Sequence, residues 1–268
     1  MTTSLSTLRT AVRELPSALL GFSGGVDSAL LAVVLRQELG PERMLAAIGR
    51  SASLPAEQWE MACAVAAQFD VPVATVSTHE LDDPRYLANP TNRCFFCKKE
   101  LWHRLRDLAA VRGFSVVCDG TNADDLGEHR PGHAAGVNAG VRSPLAEAGL
   151  NKEDVRAAAR SLGLPNWDAP AAPCLSSRVQ YGLQITPRRL RQVEEGEAFL
   201  RGLGVRGNLR VRHQGGAATI EVEPEWIPWL ASRRAEIAEH LHGLGFDEVA
   251  VDPRGYRRGS LLLDRAGR

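Results

Sequence analysis

Short apolar segments alternate with helix-like segments through the first two thirds of the chain. The apolar segments cover residues 17–22, 44–49, 71–77 and 115–119. The helix-like segments cover residues 29–38, 55–69, 98–112 and 151–161. In 55–69, for example, apolar residues recur at the i, i+3, i+4, i+7 spacing of one helix face. Because strands that alternate with helices are typical of a parallel sheet, we predict an α/β domain whose sheet is flanked by helices.

The pattern changes near residue 168. Residues 164–173 are rich in Pro and Ala and show no periodicity. Beyond them the predicted helices are 187–203 and 228–244, and the predicted strands are 208–213, 218–222 and 248–252. We therefore predict one domain over residues 1–168 and a smaller α+β domain over residues 169–268.

Composition excludes several classes of protein. The chain has 268 residues, with 32 Lys and Arg against 32 Asp and Glu, whereas a protein that coats nucleic acid carries a basic excess. The longest apolar run, Ala29–Leu35, is far shorter than a membrane span, and Arg9, Arg13 and Glu14 interrupt any signal peptide. We expect a cytoplasmic protein with no nucleic-acid or membrane partner, in which structural disulfides are rare. The 5 cysteines then need another explanation.

A glycine-rich segment between the first strand and the first helix predicts a phosphate-binding loop. Its sequence is Ser-Gly-Gly-Val-Asp-Ser, residues 23–28. Small residues let the backbone approach an anion, and the N–H groups of a starting helix point at it. No Gly-Lys-Ser/Thr follows, so the loop is not of the Walker A type. An ordinary glycine turn is the alternative. The candidate nucleotide-binding residues are Gly21, Phe22, Ser23, Gly24, Gly25, Val26, Asp27 and Ser28.

A second polar segment, Asp119–Asp125, follows the fourth predicted strand. Gly120 and Thr121 are expected to add donors at the same sheet edge, and Arg130 follows shortly after. Asp124, with its neighbour in the segment, is expected to hold Mg²⁺ against phosphates, because Mg²⁺ prefers a few carboxylates plus substrate oxygens. The alternative is a polar turn with no ligand.

Three of the cysteines lie in segments that suggest chemistry. Cys63 and Cys118 lie among apolar residues and are expected to pack. Cys94 and Cys97 form Arg-Cys-Phe-Phe-Cys-Lys, and Cys174 lies in Pro-Cys-Leu-Ser-Ser-Arg, so each has cationic neighbours that favour thiolate. Three thiolates suit a 4Fe-4S cluster with one open iron. On the residues alone, a cluster, a redox pair, a zinc site and plain packing all stay open.

Together these motifs resemble the LarE family. The phosphate loop is common to all PP-loop ATP pyrophosphatases, whereas the cysteine segments, Leu-Arg-Val-Arg-His at 209–213 and Gly-Tyr-Arg-Arg-Gly-Ser at 255–260 are similar to LarE proteins alone. The resemblance runs from Gly21 to Ser260, nearly the whole chain. It implies a PP-loop fold of the adenine nucleotide alpha hydrolase type.

The resemblance implies an ATP-dependent sulfur transferase. LarE proteins adenylate the carboxylates of pyridinium-3,5-biscarboxylic acid mononucleotide and convert them to thiocarboxylates, for the nickel-pincer nucleotide cofactor of lactate racemase. Some members sacrifice the sulfur of one cysteine, at the position of Cys174. Others have three cysteines, which match Cys94, Cys97 and Cys174 here, and bind a 4Fe-4S cluster. The three-cysteine pattern favours the cluster type, with ATP, Mg²⁺ and the cluster as cofactors.

Further candidate residues lie in the last third of the chain, where residues 169–268 carry 15 basic side chains, all Arg, against 12 acidic ones. Ser177 and Arg178, close to Cys174, are expected to take part in catalysis. Arg210 and Arg212 alternate along a strand and so face the same side, which suits the capture of an anionic nucleotide substrate. The resemblance places this anion site at a subunit interface of a homo-oligomer, a trimer or hexamer. Its acidic positions match Glu197 and Glu221.

Three alternatives to this function differ in what they require. A PP-loop tRNA thiolase also combines the loop with cysteines, but the neutral chain lacks a recognisable RNA module. An amide-forming synthetase of the NAD or GMP type shares the loop and uses ammonia in place of thiols. A nucleotide-binding regulator would have no turnover.

Overall fold

The computed structural model describes residues 3–127, 131–170 and 173–261, and the chain forms two compact units. The first unit comprises residues 1–83 and 92–172, and the second comprises residues 84–91 and 173–268. The division thus falls at 172/173, where the sequence predicts 168/169. Segment 84–91, which the sequence assigns to the first domain, belongs to the second unit.

Four parallel strands form the sheet of the first unit, in the order β3-β2-β1-β4. They are β1 (Ala18–Gly21), β2 (Met44–Arg50), β3 (Val73–Ser77) and β4 (Val116–Cys118). Arg142 continues the sheet beyond β4 by a single parallel bridge to Cys118. The predicted parallel α/β fold is confirmed. All carboxyl ends of the strands lie at one edge, where open α/β sheets bind ligands.

Helices cover both faces of this sheet. The helices up to residue 161 are, in chain order, α1 (Thr3–Arg13), α2 (Val26–Leu39), α3 (Ala56–Gln68), α4 (Pro84–Leu87), α5 (Arg93–Arg112), α6 (Ala123–Leu126), α7 (Pro131–Asn138), α8 (Pro144–Glu147) and α9 (Lys152–Ser161); α4 belongs to the second unit and takes no part in covering this sheet. Helix α2 is buried over most of its length because its middle, Ala29–Leu35, is apolar on all sides. Among the described residues, no helix is both long enough and apolar enough to cross a bilayer.

The second unit is a smaller α+β structure, as predicted. Strands β5 (Leu209–Gln214) and β6 (Ala217–Val222) pair antiparallel, and β7 (Glu248–Val251) pairs parallel with β6. Helix α10 (Pro187–Gly202) starts at the N-cap Thr186, whose hydroxyl accepts the Arg189 N–H at 3.2 Å. A separate apolar core lies between the helices and this sheet.

The helix predicted over residues 228–244 is interrupted. A 3-10 turn (Pro224–Trp226) precedes α11 (Ile227–Ser232), and α12 (Arg234–Gly243) follows. Arg233 separates the two helices because its backbone, at φ −112° and ψ 17°, is not helical. The apolar spacing continues across this break, so periodicity alone did not reveal it.

Candidate functional site

The phosphate loop has a conformation that requires glycine. Gly24 has φ +75°, in the left-handed region. A Cβ on Gly24 would lie 2.9 Å from the Ala62 Cβ and 2.9 Å from the Gln58 carbonyl oxygen. Gly25 is the N-cap of α2, so the loop runs directly into the start of a helix with its unpaired N–H groups.

Two side chains outside the loop hold its carbonyl groups. The Gln58 amide donates to the Ser23 carbonyl at 2.6 Å, and the buried Asn166 amide donates to the Gly24 carbonyl at 2.8 Å. Since a trans peptide directs its C=O and N–H to opposite sides, the N–H groups of Gly24 and Gly25 point away from these two amides. This is the arrangement that an anion-binding loop needs.

The two serines of the loop fix its turn. The Ser28 hydroxyl accepts the Ser23 N–H at 3.2 Å, donates to the Gly25 carbonyl at 3.1 Å and lies 3.0 Å from the Ser23 hydroxyl. Ser28 is buried and Ser23 is exposed. The loop is therefore preorganised, and Ser23 is its surface side chain.

The two polar segments predicted from the sequence come together at this edge. A Cβ on Gly120 would lie 2.7 Å from the Ser28 nitrogen, so glycine permits the approach of the segment after β4 to the start of α2. Asp27 accepts hydrogen bonds from the Asn122 amide at 2.9 Å and from the Lys152 ammonium. Asp27 thus ties the phosphate loop to the starts of α6 and α9.

The acidic side chains after β4 cap helices. Asp124 accepts the Lys152 N–H of α9 at 2.9 Å, and Asp125 forms a capping box with Asn122. The Thr121 hydroxyl donates to Asp119 at 2.9 Å. These contacts show that the polar segment forms helix caps and a turn. The two carboxylates expected to bind Mg²⁺ instead accept hydrogen bonds from backbone N–H groups. Arg130 lies outside the described residues.

The cysteine pair lies on the first turns of α5, beside the same sheet edge. Cys94 is exposed and Cys97 is half-buried, and their spacing of three residues puts them on one helix face. Trp102, farther along α5, contacts the end of β1, because a Cβ on Gly21 would lie 2.7 Å from its ring. Cys97 precedes Trp102 by ~7.5 Å along the helix axis. The Lys98 ammonium lies 5.2 Å from the centre of the Trp102 ring.

Several buried polar atoms of the first unit lack a protein partner. Among the described residues they include the Glu80 Oε2, Trp102 Nε1 and Asn166 Oδ1 atoms. Glu80 follows β3, Asn166 contacts the phosphate loop, and Trp102 covers the end of β1. Native proteins satisfy nearly all buried polar groups, so these atoms suit a polar ligand at this edge.

The Cys174 loop, residues 173–178, lies in the second unit and is held by its own backbone and side chains. The Cys174 carbonyl accepts the Ser177 N–H at 3.0 Å, the Ser177 hydroxyl at 2.7 Å and the Arg178 guanidinium at 3.0 Å. Cys174 itself is half-buried.

Cys118 differs from Cys174 in its burial. It is fully buried on β4, and burial raises the pKa of its thiol far above the ordinary value. Cys118 therefore packs, as predicted.

Arg178 is buried and fixed within the protein. Its guanidinium pairs side-on with Glu197 through two hydrogen bonds of 2.9 Å and also donates to the Pro173 carbonyl. Glu197 accepts the Val211 N–H of β5 at 3.0 Å as well. Arg178 thus links the Cys174 loop to α10 and β5, which gives it a positioning role in addition to the predicted catalytic one.

The predicted substrate residues of the second unit are brought together. Arg212 donates to Glu221 at 2.7 and 2.9 Å, to the Ser260 hydroxyl at 3.0 Å and to the Ser177 carbonyl at 3.0 Å. Arg210 is buried over the Tyr256 ring, 5.3 Å from its centre. Burial, together with the charge of Arg178, lowers the pKa of Arg210 to about 10. A cation that burial disfavours in this way is one that an anion would stabilise.

Comparison with known proteins identifies the family. A family model described as NAD synthase matches residues 2–107. The pyridinium-3,5-bisthiocarboxylic acid mononucleotide synthase of Lactiplantibacillus plantarum is 33% identical over 261 residues, which are 97% of this chain and 94% of that protein. The chain belongs to the LarE family. Within the PP-loop superfamily it is an ATP-using enzyme.

Two further relatives have no described function. An uncharacterized protein of Synechocystis sp. is 43% identical over 96% of both chains. An uncharacterized protein of Methanocaldococcus jannaschii is 28% identical over 89% of this chain and 90% of its own length. The match to the Lactiplantibacillus plantarum synthase, which covers 97% of this chain, confirms the LarE resemblance found in the motifs.

Several residues that hold the predicted site residues of each unit had no signal in the sequence. Gln58 and Asn166 hold the phosphate loop, Lys152 holds Asp27, and Ser260 holds Arg212. Asn166 lies in a segment that shows no periodicity. It donates to the carbonyl of Gly24, which is 142 positions earlier in the chain. Of these residues, Ser260 alone lies in a motif of the LarE resemblance, and the motif does not indicate its role.

Next to Arg212, the buried His213 predicts a pH-dependent stability. His213 lies 3.1 Å from the Gln192 amide oxygen, and burial, with Arg189 and Arg188 nearby, lowers its pKa to about 4. Below the ordinary pKa of ~6.5 the unfolded chain takes up a proton that the folded chain refuses, so this residue should cost about 2 kcal/mol of stability between pH 7 and pH 5. His213→Gln should remove this part of the loss in urea unfolding.

The exposed His103 supplies the matched control. His103→Gln should keep the pH dependence of the free energy of unfolding of the original chain. The carboxylates are the same in the original chain and in both variants, so their contribution cancels in the comparison. An equal loss of stability for the original chain and His213→Gln would contradict the account of His213.

Proposed function

We propose that this protein is an ATP-dependent sulfur transferase that converts the carboxylates of pyridinium-3,5-biscarboxylic acid mononucleotide to thiocarboxylates. Membership of the LarE family and the preorganised phosphate loop support this proposal. The single observation that carries it is the Cys174 loop, whose Cys174 carbonyl accepts a hydrogen bond from the buried Arg178 guanidinium, in a chain that also has the phosphate loop.

Activation of the carboxylate is assigned to the first unit. A substrate carboxylate oxygen attacks the α-phosphorus of ATP, the bond to the β-phosphate breaks, and pyrophosphate leaves. We assign stabilisation of the developing negative charge to the N–H groups of Gly24, of the first turn of α2 and of Gly25, which donates weakly to the Ser23 hydroxyl at 3.4 Å, because such donors lower the barrier. The buried atoms of Glu80, Trp102 and Asn166 that lack protein partners fit a polar nucleotide at this edge.

Sulfur transfer is assigned to the second unit. A sulfur nucleophile delivered at Cys174 attacks the carbonyl carbon of the acyl-adenylate, and AMP leaves with the former carboxylate oxygen. Arg210 and Arg212 supply positive charge for the substrate phosphate, and Glu197 and Glu221 hold Arg178 and Arg212 in place. Together with Arg178, these side chains comprise three guanidinium groups and two carboxylates. The excess positive charge favours binding of an anion.

We further propose that Cys94, Cys97 and Cys174 hold a 4Fe-4S cluster. The donor set fits, because Cys94 and Cys97 share one face of α5 and Cys174 is half-buried, and thiolates are the usual ligands of such clusters. Among the described residues, no three Cys, His, Asp or Glu side chains form a ready metal site. When bound, the cluster would supply sulfide at its open iron.

We also propose that the protein uses Mg²⁺, forms a homo-oligomer and is located in the cytoplasm. Mg²⁺ is expected to accompany ATP, although Asp124 and Asp125 are engaged as helix caps in this structure. The family resemblance implies a homo-oligomer, a trimer or hexamer, and the composition of the chain favours a cytoplasmic location.

Release of pyrophosphate from ATP tests the proposed function. We expect release only when the biscarboxylate mononucleotide is added, with AMP formed in equal amount. Release stimulated by tRNA would favour a thiolase, and release that needs ammonia would favour an amide-forming synthetase. No release with any of these substrates would favour a nucleotide-binding regulator.

A further inference from the structure

Segment 84–91 leaves the first unit for eight residues and packs in the second unit against the chain that follows Cys174. The Tyr86 hydroxyl lies 2.5 Å from the Ser176 hydroxyl. Both side chains are buried, with 1% and 0% of their surface exposed. A buried contact therefore fixes the backbone two residues beyond Cys174.

Asn89 in the same segment fixes the next stretch of chain. Its buried amide nitrogen donates to the carbonyls of Gln180 at 2.8 Å, Leu183 at 3.0 Å and Val179 at 3.3 Å. The backbone carbonyl of Asn89 accepts the Gly182 N–H at 3.0 Å. Asn89 has φ +51°, a left-handed conformation that Asn adopts more readily than most residues.

Strand β5 holds the same stretch from another direction. Val179 forms a parallel bridge with His213, and the Gln180 N–H donates to the His213 carbonyl at 3.0 Å. Arg212 donates to the Ser177 carbonyl at 3.0 Å. The Cys174 loop and its continuation are thus held by β5 and segment 84–91 together.

We infer that Tyr86 and Asn89 are positioning residues for the sulfur-transfer step at Cys174. The inference rests on the proposed function. Attack by sulfur requires the thiol-bearing loop to be placed within a fraction of an ångström, and a small displacement costs orders of magnitude in rate. Pyrophosphate release depends on the phosphate loop of the first unit, so these two residues should affect sulfur transfer and leave adenylation unchanged.

Four variants separate positioning from general stability. Tyr86→Phe and Ser176→Ala each remove one hydroxyl of the buried pair, and the double variant shows whether they act through each other. Asn89→Gly keeps the left-handed backbone and removes only the amide. Ser232→Ala is the control, because Ser232 is exposed and bonds only within α11, to the Trp229 carbonyl at 2.7 Å.

Two readouts are measured on the full-length protein. We expect the single-turnover rate of thiocarboxylate formation to fall about tenfold or more in Tyr86→Phe, Ser176→Ala and Asn89→Gly, with substrate-dependent pyrophosphate release changed by less than about twofold. The double variant should be no slower than either single one. The rate at which iodoacetamide alkylates Cys174, followed by mass spectrometry, should also change, while that of Cys63 stays the same.

The inference is overturned by sulfur transfer at the original rate, or by a parallel fall in pyrophosphate release and thiocarboxylate formation. If the original protein releases no pyrophosphate with the biscarboxylate substrate, the proposed function fails. The alkylation rates then still decide whether Tyr86 and Asn89 position Cys174, because unchanged rates would contradict it.

Discussion

Replacement of Cys174 by serine should abolish thiocarboxylate formation, by at least ~100-fold, and leave substrate-dependent pyrophosphate release nearly intact. We expect this result because the phosphate loop proposed for adenylation lies in the first unit, and the thiol proposed for sulfur transfer lies in the second. A serine hydroxyl keeps the size of the side chain and lacks the sulfur. Quantitation of pyrophosphate and thiocarboxylate in the same reaction measures both steps.

Cys63→Ser is the control, since Cys63 lies on α3 and belongs to neither cysteine segment. The cluster proposal predicts that Cys94→Ser and Cys97→Ser lose sulfur transfer as well, together with iron and sulfide in anaerobically purified protein. If both variants keep one turnover and Cys174 loses the mass of H₂S, Cys174 itself is the sulfur donor. Full transfer by Cys174→Ser would contradict the role of this residue.

Replacement of Gly24 by alanine should lower substrate-dependent pyrophosphate release by at least ~100-fold. The new Cβ would lie 2.9 Å from both the Ala62 Cβ and the Gln58 carbonyl oxygen, so the loop must move. Movement would break the hydrogen bonds that Gln58 and Asn166 make to the loop carbonyls and turn its N–H groups away from the phosphates.

Gly40→Ala separates this effect from backbone strain. Gly40 also has φ +75°, at the end of the same helix α2, but a Cβ there would meet no atom within 4 Å. The backbone of Gly40, with ψ 172°, has like that of Gly24 a positive φ that strains alanine, and each variant should lose roughly 1–3 kcal/mol of stability from this strain. Only Gly24→Ala should lose activity, and equal activity in the two variants would contradict the assigned loop geometry.

The sequence was sufficient for the sheet and for the phosphate loop. The strands are short, apolar and bounded by turns, and the loop is recognised by its glycines between a strand and a helix. Through the family resemblance, the sequence also grouped Arg210, Arg212, Glu197 and Glu221 as one substrate site, and it assigned Arg178 to catalysis beside Cys174. It assigned the two acidic residues to the substrate site, whereas the structure pairs them with Arg178 and Arg212.

What the sequence could not predict depends on distant contacts. Asn166 supports the phosphate loop through a single buried hydrogen bond, and nothing near it in the chain marks that role. Segment 84–91 joins the second unit through Tyr86 and Asn89, whose partners come about 90 residues later. Periodicity and motifs describe local order, so they are silent about both.

The most direct test of the account is mass spectrometry of the nucleotide product after incubation with ATP. We predict a mononucleotide in which sulfur replaces a carboxylate oxygen, with one pyrophosphate and one AMP formed for each thiocarboxylate. An amide product, a thiolated tRNA or hydrolysis of ATP without any sulfur in the product would contradict it.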